Sequence, residues 1–376
     1  MDKNVLVLGG YGNFGRLICE CLCRRPDINL IIAGRDKRKS EALSKRLTSG
    51  GALCYISTLE IDIYSSDFPQ VLQQLKPSVV IHTCGPFQGQ DYRVPDICIA
   101  AGSHYIDLAD DRKFVCDFSS LNNKAVRHGV LAISGASSVP GLSSVVVDHF
   151  MQEFSLLEKI EFSILPGSNV RIGEATLKGI LSYAGKPFES WENGKNSLRY
   201  GWMDCHRAYM GETLGTRWLA NVNIPDLELF PVRYKGLKTV RFHAGHELGI
   251  VHLSMALMAY LSRSGWVKGW EQYSATIFNI GKYIKKLGTD CGGMVIQMFG
   301  MNKQGQNLKI TWRLIAKGGV GPRIPTVSAI ILVNHILDGE LVEAGAFPCL
   351  GMYSLAEFLN IVCEWGIYQE IEKTVG

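Results

Sequence analysis

Val5-Leu6-Val7-Leu8-Gly9-Gly10-Tyr11-Gly12-Asn13-Phe14-Gly15 sets an apolar run, a glycine-rich turn and the start of a helix in immediate succession. Leu17, Ile18 and Leu22 carry the apolar face of that helix onward. Gly10-x-Gly12-x-x-Gly15, placed after a strand and before a helix, is the dinucleotide fingerprint in the context it requires. The first glycine permits the tight turn, the second lets backbone N–H groups approach a pyrophosphate, and the third lets helix and strand pack closely. The helix N-terminus then faces the phosphate charge. Gly10, Tyr11, Gly12, Asn13, Phe14 and Gly15 are therefore the first candidate cofactor contacts.

Outward from that stretch, short apolar runs alternate with amphipathic segments. Leu30–Ile32, Leu59–Ile61, Val79–His82, Tyr105–Ile106 and Val130–Ile133 read as further strands. Phe14–Cys23, Lys39–Leu47, Phe68–Leu75, Tyr92–Ala101 and Phe114–His128 read as the helices between them. Strands that alternate with helices imply an α/β fold, a Rossmann-type doubly wound parallel sheet, over residues 1–145. The alternation ends near Pro140. Residues 146–323 mix strand-like runs (Lys159–Leu165, Thr239–His243), a helix (Ile250–Leu261) and a hairpin (Met294–Met301 with Leu308–Ala316), which predicts a second, α+β domain for substrate or dimerisation. The Trp-, Gly-, Arg- and Tyr-rich stretch 187–235 shows no clear period, and helical spacing resumes over 324–376 at Val327–Leu337 and Leu355–Trp365.

The first strand's successor ends in Gly34-Arg35-Asp36, about twenty residues past the fingerprint, where an NAD site usually carries an acid for the ribose hydroxyl. Arg35 is placed instead to pair with a 2′-phosphate, with Lys37, Arg38 and Lys39 adding positive potential, so NADP is favoured. In the competing reading Asp36 holds the ribose of NAD and Arg35 projects into solvent. Asp62, after the third apolar run, is placed either to approach the adenine amine or to cap a turn. Cys84, Gly85, Pro86 and Phe87 follow the fourth strand and should face the crevice, beside the ribose and nicotinamide.

These segments resemble the saccharopine dehydrogenase superfamily, in particular its saccharopine dehydrogenase-like, NADP-binding-domain members. The resemblance is carried by Val5–Gly15, by Cys84-Gly85-Pro86-Phe87 leading to Gly102-Ser103-His104-Tyr105-Ile106-Asp107-Leu108, and by Gly135-Ala136-Ser137-Ser138-Val139-Pro140-Gly141. The middle pattern is also shared with mycobacterial-type trans-acting enoyl reductases. The resemblance implies a mixed-sheet substrate domain, and C-terminal helices that return Val327–Leu337 to the Rossmann domain. It further implies hydride transfer to or from a C=N, C=C or C=O bond of a small metabolite. Saccharopine-forming members carry an acid before the Pro-Gly of the third segment and a lysine after the fourth strand. This chain has Ser137-Ser138-Val139 and Gly85-Pro86-Phe87-Gln88-Gly89-Gln90 there, which argues against saccharopine itself as substrate.

Hydride transfer needs a proton or hydrogen-bond donor at the substrate rather than a protein nucleophile. Tyr92, His104 and Asp107 are the candidates in the first domain. Arg171, Glu174, His243, His246 and Glu247 are polar residues beside apolar elements in the second, and His243-x-x-His246 alone does not justify a metal. The alternative function is a non-catalytic dinucleotide sensor or scaffold.

Net charge of +4, spread along the chain, gives no nucleic-acid surface. The N-terminus has no long apolar segment, and the eleven cysteines form no CxxC pair, so a cytoplasmic protein with free thiols is expected. Trp266, Trp270, Tyr273, Phe278 and Tyr283, with Lys282, Lys285 and Lys286 nearby, approximate a helical apolar face. The preferred reading is a core helix with a solvated lysine edge, and the alternative is a homodimer interface or a membrane-facing patch at 266–283.

Overall fold

A computed structural model describes residues 3–170 and 173–376. The chain forms two compact units, 1–142 with 325–358 and 143–324 with 359–376.

The first unit alternates β1 (Lys3–Leu8), α1 (Asn13–Leu22), β2 (Ile28–Gly34), α2 (Lys37–Ser49), β3 (Tyr55–Glu60), α3 (Phe68–Leu75), β4 (Val79–His82), α4 (Arg93–Ala100) and β5 (His104–Asp107). Then come α5 (Arg112–Cys116), α6 (Asn122–His128) and β6 (Leu131–Ser134). The sheet order is β3-β2-β1-β4-β5-β6, closed by the late strand Gly345–Pro348 on β6, and every pairing is parallel. This is the doubly wound sheet expected. Val5, Leu6, Val7, Leu30, Ile32 and Val79–Ile81 are essentially inaccessible, because helices cover both faces of a parallel sheet. Strand order reverses direction between β1 and β4, so the turns after these two strands border the crevice in which such sheets bind ligands.

The second unit is built on one mixed sheet. Its elements are α7 (Ser143–Met151), β7 (Phe154–Leu165), α8 (Glu174–Ser182), β8 (Pro187–Glu192), β9 (Lys195–Tyr200), β10 (His206–Tyr209) and β11 (Thr216–Asn221). They continue as α9 (Asp226–Arg233), β12 (Thr239–His246), α10 (Gly249–Arg263), α11 (Ser274–Ile284), β13 (Gly292–Asn302) and β14 (Asn307–Ala316). The order β10-β11-β12-β7-β13-β14 ends in the strand Tyr368–Val375, and only β7 and β12 run parallel.

Four sequence expectations are corrected. The helix expected over Phe114–His128 is α5 and α6 separated by a 3-10 turn, Asp117–Leu121, where Ser119 and Ser120 favour non-helical backbone. The third strand begins at Tyr55 rather than Leu59: it is an edge strand, and its half-exposed Ser57 and Thr58 hide it from an apolar search. The aperiodic stretch 187–235 contains four strands and α9. On β8 the inward side carries Phe188, Ser190 and Glu192, so polar residues interrupt the apolar alternation. Finally, 324–376 is not purely helical, since it contributes one strand to each sheet.

Candidate functional site

The turn after β1 is made by the glycines. Gly9 and Gly10 N–H both donate to Ala33 O, at 2.9 and 3.0 Å, and Gly12 N–H donates to Gly9 O at 2.7 Å. A Cβ on Gly15 would stand 2.3 Å from Gly9 O, one on Gly12 2.9 Å from the same oxygen, and one on Gly10 2.9 Å from Ile32 Cγ2. Only glycine therefore lets α1 sit this close to β1. The N-cap of α1 is Gly12, which has no side chain to cap the helix. The N–H groups of its first turn, from Asn13 onward, remain open to an acceptor, and an anionic oxygen is the acceptor that helix termini favour. The residues present fit the pyrophosphate of a dinucleotide.

At the end of β2, Gly34 accepts the Tyr11 ring against its backbone, where a Cβ would meet Tyr11 Cε1 at 2.4 Å. Tyr11 Oη accepts a hydrogen bond from Asp36 N–H at 3.1 Å, and the Lys39 ammonium stands 5.8 Å from the ring centroid. The Asp36 carboxylate caps α2 by accepting from Lys39 N–H at 3.2 Å, and this bond holds its pKa below the usual aspartate value. Arg35 is exposed and makes no ion pair among the described residues. Its charge reaches the Cys84 thiol and the Tyr64 hydroxyl, which places it toward the crevice. Asp62 Oδ1 accepts from Tyr64 N–H at 3.0 Å, the turn-capping geometry.

The crevice turn after β4 holds Cys84, Gly85, Pro86 and Phe87. Burial pushes the Cys84 thiol up to about 12, so it carries no thiolate at neutral pH. Gln90 Nε2 donates to Cys84 O at 2.8 Å and to Pro86 O at 2.7 Å, which fixes the loop. Phe87 is buried, edge-on to His82 with ring centroids 5.0 Å apart.

Residues 5–141 match the family model of the saccharopine dehydrogenase NADP binding domain. The match covers that stretch alone. A protein of Mycobacterium tuberculosis named as a trans-acting enoyl reductase is 27% identical over 150 residues, 38% of this chain, and its counterpart in a second strain matches equally. The matched stretch spans only 35% of that relative's length. Apo saccharopine dehydrogenase (L-Glu forming) from Saccharomyces cerevisiae superposes with a TM-score of 0.71 at 14% identity, covering 99% of this chain and 100% of that one, a likeness of fold.

Each proton-donor candidate of the first unit is engaged by its own surroundings. Tyr92 Oη donates to Phe114 O at 2.7 Å, and His104 Nδ1 accepts from Leu131 N–H at 3.0 Å. Asp107 Oδ1 accepts from Ala109 N–H, Gly135 N–H and Ser134 Oγ at 2.9, 2.8 and 3.0 Å. Burial raises the Asp107 pKa to about 6, against the pull of those donors. Sequence reasoning missed His82, the last residue of β4. Its Nδ1 lies 2.9 Å from Tyr105 Oη, its Nε2 is buried without a partner among the described residues, and burial drives its pKa down to about 3. It is a neutral histidine at any physiological pH, and only its position at a strand end beside the crevice hinted at it.

In the second unit the structure separates the pair noted in the sequence. His243 meets His206 edge-on at 5.1 Å, whereas His246 Nδ1 lies 3.3 Å from His252 Nδ1. Three residues apart on β12, they face opposite sides of the sheet. Glu247 Oε2 accepts from Thr289 N–H at 2.8 Å and Ser168 N–H at 3.3 Å. Glu174 is the exposed first residue of α8, and Arg171 lies outside the described residues. A different cation, Arg217 on β11, is only 7% exposed. Its Nε has no hydrogen-bond partner among the described residues, and it forms no ion pair there. Glu247 and Cys291 lie within reach of its charge.

Proposed function

We propose that this chain is an NAD(P)H-dependent oxidoreductase in which the first unit holds the cofactor and the second the substrate. The observation that carries the reading is the glycine cradle with its uncapped helix N-terminus. Gly10, Tyr11, Gly12, Asn13, Phe14 and Gly15 would hold the pyrophosphate. Gly34, Arg35 and Asp36 would meet the adenosine ribose, Asp62 the adenine, and Cys84, Gly85, Pro86 and Phe87 the nicotinamide end. The bound nucleotide supplies or accepts a hydride. NADP is preferred over NAD because Asp36 is occupied at the cap of α2 while Arg35 makes no ion pair among the described residues.

The substrate carries a C=N, C=C or C=O bond and an anionic group. Arg217 supports the second statement: the residue is 7% exposed and its Nε has no partner among the described residues, an arrangement that a carboxylate or phosphate of the substrate would complete. Saccharopine is disfavoured by Ser137-Ser138-Val139 and by the lysine-free turn after β4.

The test is calorimetric titration with NADPH and NADH, repeated on Arg35→Ala. The expected result is preferential NADPH binding that weakens by roughly ten- to a hundredfold in the variant, the worth of a charge-assisted hydrogen bond. Binding of neither nucleotide overturns the proposal.

One observation favours a second reading, a dinucleotide sensor without chemistry: Tyr92, His104 and Asp107 are all committed to structural hydrogen bonds. Cofactor binding without hydride transfer to any of a panel of imines, enoyl thioesters and ketones would select it.

A further inference from the structure

α10 breaks the usual rule for a surface helix. Its buried side is His252, Met255 and Ala259, spaced as one helical stripe. Its outward side carries Ile250, Leu253, Leu257 and Tyr260, again at one stripe's spacing, and all four are exposed. From Gly249 to Ser262 the sequence holds no Asp, Glu, Lys or Arg. A helix that is apolar all round is one that something else covers.

The apolar surface continues past its end. Trp266 is 82% exposed, and Ile280, Tyr283 and Leu287 repeat the three- and four-residue spacing through α11 and the turn after it, with Tyr283 81% exposed. Trp270, tilted against Tyr273 with centroids 5.8 Å apart, donates its Nε1–H to Met258 O at 2.8 Å and so ties the connecting loop to α10. The sequence expectation of a core helix over this stretch is thus corrected in part: Trp266, Tyr273, Ile280 and Tyr283 are exposed, whereas Trp270, Ile277 and Phe278 are half-buried.

We propose that the α10–α11 face docks on an anionic phospholipid surface. Between 263 and 287 the sequence carries Arg263, Lys268, Lys282, Lys285 and Lys286 against a single acid, Glu271, and Arg263, Lys268 and Lys286 are exposed. A second copy of the chain seated symmetrically on this face would bring these cations against their own duplicates, whereas an anionic bilayer complements them. Exposed Trp266, Tyr260 and Tyr283 are side chains that favour the interfacial layer. No helix among the described residues is long and apolar enough to cross a membrane. At 15 residues α10 is about 22 Å long, short of the roughly 30 Å hydrocarbon core, so it lies along the surface.

The experiment is flotation of the full chain with vesicles of phosphatidylcholine alone and of phosphatidylcholine with phosphatidylglycerol, alongside light scattering. Expected is binding to the anionic vesicles that weakens with added salt and falls at least tenfold in Leu253→Ser/Leu257→Ser. Lys286→Glu should lose about fivefold or more on anionic vesicles and little on neutral ones. NADPH titration and the melting temperature of each variant separate loss of docking from loss of fold and from failure of the cofactor proposal. Absence of binding to either vesicle overturns the inference, as does a dimer that the double serine variant dissociates.

Discussion

Tyr11 Oη accepts the Asp36 N–H across the end of β2, and the ring between them occupies the space a Cβ on Gly34 would need. Gly10-to-Gly15 and Gly34-to-Asp36, read in the sequence as separate contacts, are one physical assembly. Gly34→Ala should therefore cost about 1–3 kcal/mol of stability through overpacking. In a Tyr11→Ala background the same substitution should cost well under half as much, because the clashing ring is gone. Urea denaturation of the four proteins in the cycle checks this. Strictly additive costs would show that the ring does not need the glycine.

Arg217 sets stability against binding. Arg217 is buried, and its Nε has no partner among the described residues, so an uncompensated desolvation cost is expected in the ligand-free protein. Arg217→Met should raise the unfolding free energy by about 1–2 kcal/mol while raising KM for an anionic substrate at least tenfold with little change in NADPH affinity. A destabilised variant would mean that Glu247, at longer range, is already a sufficient partner.

How much of this was legible depends on where each signal lives. The cradle was readable because strand, glycines and helix are contiguous, and every residue from Val5 to Leu22 follows one pattern. Arg217 was invisible because it is one arginine in an aperiodic stretch, and what distinguishes it is burial and the reach of its charge to Glu247 and Cys291, which are distant in the chain. The roles of Tyr92, His104 and Asp107 were equally hidden, since their partners Phe114 O, Leu131 N–H and Gly135 N–H are 22 to 28 residues away. The outward stripe of α10 was written in the sequence as an uninterrupted uncharged run, but sequence alone does not say which of two apolar sides faces the protein.

Asp107 organises the turn between β6 and the segment Ser137-Ser138-Val139-Pro140. Asp107→Ala leaves the N–H groups of Ala109 and Gly135 and the Ser134 hydroxyl without their buried acceptor, at a cost of about 3–5 kcal/mol. Asp107→Asn keeps one acceptor oxygen and should cost less than half of that. Thermal unfolding distinguishes the two, and equal losses would show that charge rather than acceptor geometry matters.

Asp226, at the start of α9, accepts a hydrogen bond from Ser143 Oγ, yet its second oxygen is buried without a partner among the described residues. Burial raises its pKa from 3.8 to about 7. Between these values the folded protein holds a proton that the unfolded chain has released, so stability falls as pH rises from about 4 to about 7. Below about pH 4 both states are protonated and no penalty exists. Above about pH 7 both are ionised and the full penalty remains, on the order of 4 kcal/mol. Asp226→Asn carries no proton to lose. Its melting temperature should match the parent near pH 4 and exceed it near pH 8, with a residual slope below about pH 6 from Asp107, whose folded pKa is also raised. Melting curves across that range check the sign. A variant less stable than the parent at pH 8 would show that the ionised Asp226 is stabilised by a partner on the side now left unpaired.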